Sequence, residues 1–526
     1  MTTGVRSFRP ATLGGPNRAI GPLAASILVC LAAGITGFVA GEQALVIIAA
    51  LLAGAAAVAI AIRPDTATLI VVAILYSNAA AIAVQRYDVP YFAGAAFPLL
   101  LVVPFAYHVV IRRQPIIIAT GLPAMLAFFI VMILGTAFGM AADPQRAIDA
   151  FVTFVVEGLL IYFVTTNVVR SLADLRLAVW VLLLVGAVLG ALSVHQQATE
   201  NFGFDYGGFA QVSAASLDTG ELDGGGQPRL AGPIGEKNRY AQVMIVLIPL
   251  GLFRMWGERR PALRFAAGAA TALIAFGAVL TFSRGAALGF AVTILLMTAL
   301  RYIRPAQLAT LALGIAVLFA LQPTYLERLL TIEALSGATG TKGASQVEDN
   351  SFRKRANETI AALLVFGDHP LLGVGRGLFP VYYGDYADEV GIASENDARQ
   401  AHNLYAGIAA ETGAFGFVAF MAIFVTTLVS LVRVRGRTRL LAPEYADMAT
   451  AFFLSIVAYL TTGMFLHLAY ERYLWILLAL AGSAAYVGMR AILPTPSSPP
   501  AGSDGVPADR ATRQRRGRPA LATPGD

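Results

Sequence analysis

His402 lies in Ala401-His402-Asn403-Leu404-Tyr405, where a polar stretch of about 80 residues, Pro323 to Gln400, gives way to a hydrophobic helix. A helix start fixes its place while the outer aqueous phase reaches the ring. An imidazole that titrates near neutrality in such a position suits general-base work on a hydroxyl, although a helix-capping or interfacial histidine would occupy the same spot. The same stretch contains Gly373-Val374-Gly375-Arg376-Gly377, whose glycines allow conformations and close approaches that a Cβ would block, so that Arg376 is presented from a tight loop. Arg284, in Thr281-Phe282-Ser283-Arg284-Gly285, lies in a very short turn between two apolar spans, on a side where positive charge is sparse. Its planar donor fork matches phosphate oxygens, and partial exclusion from water strengthens that contact. Arg229 lies on a separate polar loop. If Arg229, Arg284 and Arg376 converge, they would suit a diphosphate; singly, each reads equally as an ion pair or an arginine snorkelling to headgroups.

Arg353, Lys354 and Arg355 are consecutive and point about 100° apart around a helix, so they cannot all reach one ligand; Arg355 is assigned to the site side. Glu157 and Glu411 fall inside apolar helices, where an ionised carboxylate needs a partner or a functional cavity. His467, followed by Glu471 and Arg472, stands near the outer end of another helix and is a second candidate for substrate contact, whereas His108 and His195 read as interfacial. Tyr382, Tyr383 and Tyr386 suit either a membrane interface or a sugar face.

The elements that must position these groups are membrane helices. The chain is 57% hydrophobic and 13% charged, with a mean hydropathy of +0.68, which excludes an ordinary soluble domain. About fourteen apolar runs approach the roughly 20 residues needed to cross a bilayer. They lie near 20–39, 43–62, 66–84, 91–111, 116–140, 147–168, 174–195, 239–256, 263–281, 285–302, 305–322, 402–432, 446–468 and 472–492. Of the 38 Lys and Arg, 24 fall in the alternate loops and tails that include both termini, which places those termini in the cytoplasm and the polar insertions outside it. This distribution explains the net charge of +6 without a nucleic-acid partner. Cys30, the single cysteine, lies in the first span, and no closely spaced Cys or His cluster suggests a metal site.

The expected organisation is a cytoplasmic segment 1–19, a bundle over 20–493 with outer loops 196–237 and 323–401, and a disordered basic tail 494–526. Within the first loop, Arg229-Leu230-Ala231-Gly232 to Asn238 reads as ordered. Within the second, Asn350 to Phe366 predicts a short outer helix capped by Asn350 or Ser351 and stopped at Gly367.

The run His369-Pro370-Leu371-Leu372-Gly373-Val374-Gly375-Arg376-Gly377, followed by Ala401-His402-Asn403-Leu404-Tyr405 and Glu411-Thr412-Gly413-Ala414-Phe415-Gly416, resembles the signature of the O-antigen ligase and Wzy-type polymerase superfamily. Arg229-Leu230-Ala231-Gly232 with Asn238, and Phe282-Ser283-Arg284-Gly285, are similar to its upstream motifs. Arg376 departs from the residue many relatives carry there.

The resemblance implies an all-α polytopic protein with a GT-C-like fold, in the bacterial cytoplasmic (inner) membrane, acting without a cofactor or metal at the periplasmic or extracellular side. It implies an undecaprenyl-diphosphate-linked oligosaccharide donor, a saccharide acceptor, and flippase and chain-length regulator proteins as partners. His402 would assist the acceptor hydroxyl, Arg284, Arg376 and Arg229 would engage the diphosphate, and Asn238, Arg355, Asn403, Tyr405 and His467 would contact substrate. Polymerisation of repeat units is the first expectation, because about fourteen spans exceed the number usual for ligases. Ligation of a finished glycan to a lipid, protein or wall acceptor is the second. A flippase for the same lipids would require inverted repeats and a charged path through the bundle, and neither is apparent.

Overall fold

The computed structural model describes residues 53–139, 142–213, 228–303, 344–389, 399–468 and 471–491. The expected spans 20–39 and 305–322, most of 43–62, the segment 1–19, the tail 494–526 and parts of both outer loops lie outside the described residues.

Helices dominate what is described. In chain order they are α1 (Ala53–Ile62), α2 (Thr66–Ser77), α3 (Ala79–Arg86), α4 (Gly94–Ile111), α5 (Leu122–Gly139), α6 (Pro144–Val168), α7 (Leu172–Thr199), α8 (Lys237–Gly257), α9 (Pro261–Val279) and α10 (Arg284–Ala299). Then follow α11 (Ala344–Asp368), α12 (Phe379–Glu389), α13 (Leu404–Thr438), α14 (Pro443–Gly463) and α15 (Arg472–Arg490). Among the described residues, eight of these are long and apolar enough to cross a membrane. The pair α2 and α3, bent by 59° at Asn78, makes a ninth if counted as one span. Three apolar helices, α1, α5 and α10, are shorter. This is a multi-pass helical membrane protein. The all-helical expectation needs one small amendment, an antiparallel pairing of β1 (Gln211–Val212) with β2 (Leu230–Gly232) in the first outer loop.

Local chemistry accounts for the helix boundaries. Ser171 and Asp174 form a reciprocal capping box at the start of α7. Glu236 caps α8 by accepting from the Asn238 and Arg239 amides, and Asn403 caps α13 by accepting from the Tyr405 and Ala406 amides at 3.0 and 3.1 Å. The core runs along α8, α14 and α15, whose side chains are mostly enclosed by neighbours. Phe265, Leu295 and Val418 stand among the exposed apolar residues on α9, α10 and α13, as lipid-facing positions should. Within the bundle Arg472 bonds Glu157 at 3.3 Å and also Asn78, whose amide in turn donates to the Pro233 carbonyl at 2.8 Å.

The outer helix begins at Ala344, not Asn350, and passes through Gly367 to Asp368. Ser345 to Asp349 have no helix breaker, and a glycine in a helix costs only about 1 kcal/mol, too little to stop one that is packed. Ala361, Ala362 and Val365 fix it against Phe379, Tyr383, Ala401 and Ala410. Tyr383 is therefore part of this packing, while Tyr382 stacks edge-on against His369 and Tyr386 donates to Asp368.

α13 is broken one third of the way along. Gly413 takes φ 64° and ψ −169°, which interrupts the helical ladder inside an apolar span. The segment Pro370 to Gly375 lies alongside the break and replaces the missing bonds. The Val374 and Gly375 amides donate to the Ala410 and Glu411 carbonyls at 3.1 and 2.9 Å, and the Ala414 amide donates to the Pro370 carbonyl at 2.8 Å. The contact is backbone against backbone. A Cβ on Gly413 would meet the Leu371 carbonyl carbon at 2.2 Å, and one on Gly373 would meet that of Glu411 at 2.4 Å.

Replacing Gly413 by Ala is expected to destabilise the fold by at least about 2 kcal/mol, since it adds both a strained positive φ and a backbone clash. A fall in the melting temperature of detergent-purified protein checks this; an unaltered melting temperature would mean that the segment can withdraw from the break at no cost.

Candidate active site

Three helices begin at one end of the bundle, and their first residues are the ones singled out in the sequence: Asn238 on α8, Arg284 on α10 and Asn403, with His402, before α13. α11 lies over them. Thr359 reaches the Ala401 carbonyl at 3.4 Å, and Gly285 would bring a Cβ to within 3.1 Å of Phe465 in the turn after α14.

His402 has φ +40°, a left-handed conformation uncommon outside glycine. Its side chain is 33% exposed, whereas its partner Glu358 on α11 is 3% exposed, with Oε2 2.7 Å from His402 Nδ1. The Gln400 carbonyl also lies 3.1 Å from Nδ1. Arg399 approaches Glu358 Oε1 at 3.5 Å. Arg355 lies one turn before Glu358. Burial lowers its pKa, the Glu236 and Glu358 carboxylates raise it, and the Arg284 charge lowers it again, so Arg355 lies within electrostatic reach of Arg284 and of both carboxylates. Arg355 thus shares one charged neighbourhood with Arg284, Glu236 and the Glu358 that faces His402.

His467 faces His402 edge-on, with ring centroids 5.5 Å apart. Burial, and then the charges of Arg239, His402 and Arg376, push its pKa well below the ordinary imidazole value, so it is neutral at physiological pH. Its backbone carbonyl accepts from Arg239 at 2.6 Å. Beside His467 lies a narrow pocket with room for about one water, lined by Arg376, Gln400, Gly407, Glu411, His467 and Leu468 among others.

The other expected arginines are engaged elsewhere. Arg229 is buried and donates to the Thr281 and Phe282 carbonyls, each at 2.9 Å, so it braces the turn that carries Arg284. Arg376 is 10% exposed and bonds Glu411, Glu471 at 2.7 Å and the Leu468 carbonyl at 3.1 Å. Its guanidinium thereby ties the 373–377 turn to α13 and to the start of α15. Burial would lower its pKa, but the two carboxylates outweigh that and raise it. Arg229 and Arg376 are therefore engaged in the framework rather than free to converge with Arg284, which leaves Arg284 and Arg355 as the candidate anion ligands. Of the remaining candidates, Asn238 donates to Glu236 at 3.0 Å, Tyr405 donates to the Leu460 carbonyl at 2.9 Å, and Asn403 is the α13 cap.

Sequence reasoning missed Glu358. The signal was present: Glu358, Ala361, Ala362 and Val365 have i, i+3, i+4, i+7 spacing, which puts a carboxylate in the apolar stripe of α11. Glu236 and Arg239, which cap α8 and hold the His467 carbonyl, were also not singled out.

Fold and site together define a polytopic membrane protein with a histidine, a buried carboxylate and two arginines gathered at one end of its helices. Residues 269–421 match the Wzy_C family model, described as O-Antigen ligase, so that segment is similar to the O-antigen ligase family. The matched segment contains Arg284, Arg355, Glu358, Arg376 and His402. No curated protein matches the chain.

Replacing Arg376 by Ala strands two buried carboxylates and is expected to cost about 3–5 kcal/mol of stability. A lowered melting temperature checks this; a melting temperature equal to wild type, with a weakened affinity for a diphosphate lipid, would return Arg376 to ligand binding.

Proposed function

We propose that the protein is a glycosyltransferase that joins polyprenyl-diphosphate-linked oligosaccharide repeat units into a longer polysaccharide at the outer face of the bacterial cytoplasmic membrane. The carrying observation is His402, an imidazole partly open to solvent with one nitrogen 2.7 Å from a buried carboxylate, in the charged neighbourhood of Arg355, which Arg284 also reaches electrostatically. The family match supports the reaction class.

The chemistry is a single displacement. The acceptor hydroxyl gives its proton to His402 as its oxygen bonds the anomeric carbon, and the bond from that carbon to the diphosphate oxygen breaks, its electron pair leaving with the polyprenyl diphosphate. The charge that develops on the departing oxygen needs stabilisation in a setting partly shielded from water. Arg284 and Arg355 can supply it, and Arg284 adds the N-terminal end of α10, where helix amides favour an anion. The reaction inverts the anomeric centre and needs no covalent sugar–enzyme intermediate. The GT-C-like fold, independence from metal, cytoplasmic termini and partnership with flippase and chain-length regulators belong to the same reading.

Purified protein in lipid, incubated with a defined undecaprenyl-diphosphate oligosaccharide, is expected to give a ladder of products. A single transfer to an added lipid, protein or glycan acceptor would instead establish a ligase, which the family match leaves equally open. In the same assay His402→Ala is expected to lower turnover by about 10²- to 10⁴-fold, and Arg284→Ala by about 10²-fold. Full turnover in either variant would remove that residue from the chemistry.

A further inference from the structure

We propose that Glu358 is the positioning residue for His402: it fixes the proton of the neutral ring on Nδ1, turns Nε2 into the proton acceptor, and faces the imidazolium once the acceptor proton has arrived. This rests on the reading of His402 as the base.

Two acceptors lie near Nδ1: the Gln400 carbonyl at 3.1 Å makes its hydrogen bond, and Glu358 Oε2, 2.7 Å away in ion-pair contact, lies off the N–H direction and makes none of its own, so the carboxylate acts on the ring through its charge. An acceptor cannot face a lone pair, so Nδ1 must carry hydrogen, and in a neutral ring the lone pair then resides on Nε2. A histidine side chain free in water prefers the opposite arrangement, with hydrogen on Nε2, which cannot take a proton from a hydroxyl at that atom. The surroundings therefore select the form that can act as a base. The carboxylate is held rather than adaptable: it is 3% exposed on a helix packed by Ala361, Ala362 and Val365, and its other oxygen faces Arg399 at 3.5 Å. The positive φ of His402 turns the backbone so that its ring meets α11, while Asn403 starts α13 immediately afterwards.

A purely structural Glu358, present only to neutralise Arg399 and Arg355, would leave the ring's proton position unchanged when it is removed. The chain has five histidines, so ¹⁵N-histidine labelling of the full-length protein in nanodiscs, with His402→Ala assigning the resonance, reads that position directly. The expected wild-type result is a neutral His402 with hydrogen on Nδ1, and a shift toward the Nε2–H form in Glu358→Ala. In the transfer assay Glu358→Gln and Glu358→Ala are expected to lower kcat by about 10- to 100-fold with little change in KM for the donor. A wild-type ring with its proton on Nε2, or an unchanged ring in Glu358→Ala, overturns the proposal even if His402 proves essential. Should both variants fail to fold, Glu358→Asp is read in the same way, and a wild-type ring with its proton on Nε2 overturns the proposal without any variant. Conversely, full turnover in His402→Ala would end its role as base, a result distinct from the position of the proton.

Discussion

A helix that breaks within a membrane must find new partners for its backbone amides and carbonyls, because lipid offers none. In this chain the break at Gly413 is closed by the Pro370 to Gly375 segment, which bonds to carbonyls and amides on both sides of the glycine. Two glycines let the backbones meet. Arg376, next along the chain, then fastens the contact by joining Glu411 on the broken helix to Glu471 at the head of α15. Through this one join the outer helix α11 acquires a defined place over the bundle, and with it Glu358 acquires a defined place against His402.

The charged groups at this end of the bundle divide by what surrounds them. Arg229, Arg239, Arg376 and Arg472 donate to backbone carbonyls and buried side chains, and each connects segments far apart in sequence. A buried guanidinium is costly to desolvate, and multiple acceptors offset that cost while making its position rigid. That framework supports the turn carrying Arg284 and the loop carrying His467. The candidate groups stand on loops and helix starts, but these are stiffened by capping side chains and buried ion pairs, so their positions are set before any ligand arrives.

Much of this protein was legible in its residues. Apolar runs of membrane length, separated by alternating arginine-rich loops, determined a helical bundle in lipid, because backbone burial there permits little else. Each run expected within the described residues corresponds to an apolar helix. His402, Arg284 and the glycine turn stood out because their residue types conflict with their apolar surroundings, and the motifs around them carried the family resemblance. What the sequence could not determine was the partner of each charge. Arg376 looked like an anion ligand and is a clasp, whereas Arg355 lies in electrostatic reach of Arg284 and Glu358 emerges as the companion of His402. Those outcomes depend on which segments meet when a broken helix captures a strand about 40 residues upstream, and on desolvation that pairs a buried arginine with the nearest carboxylate. Local spacing contains neither distance, so only the tertiary structure decided them.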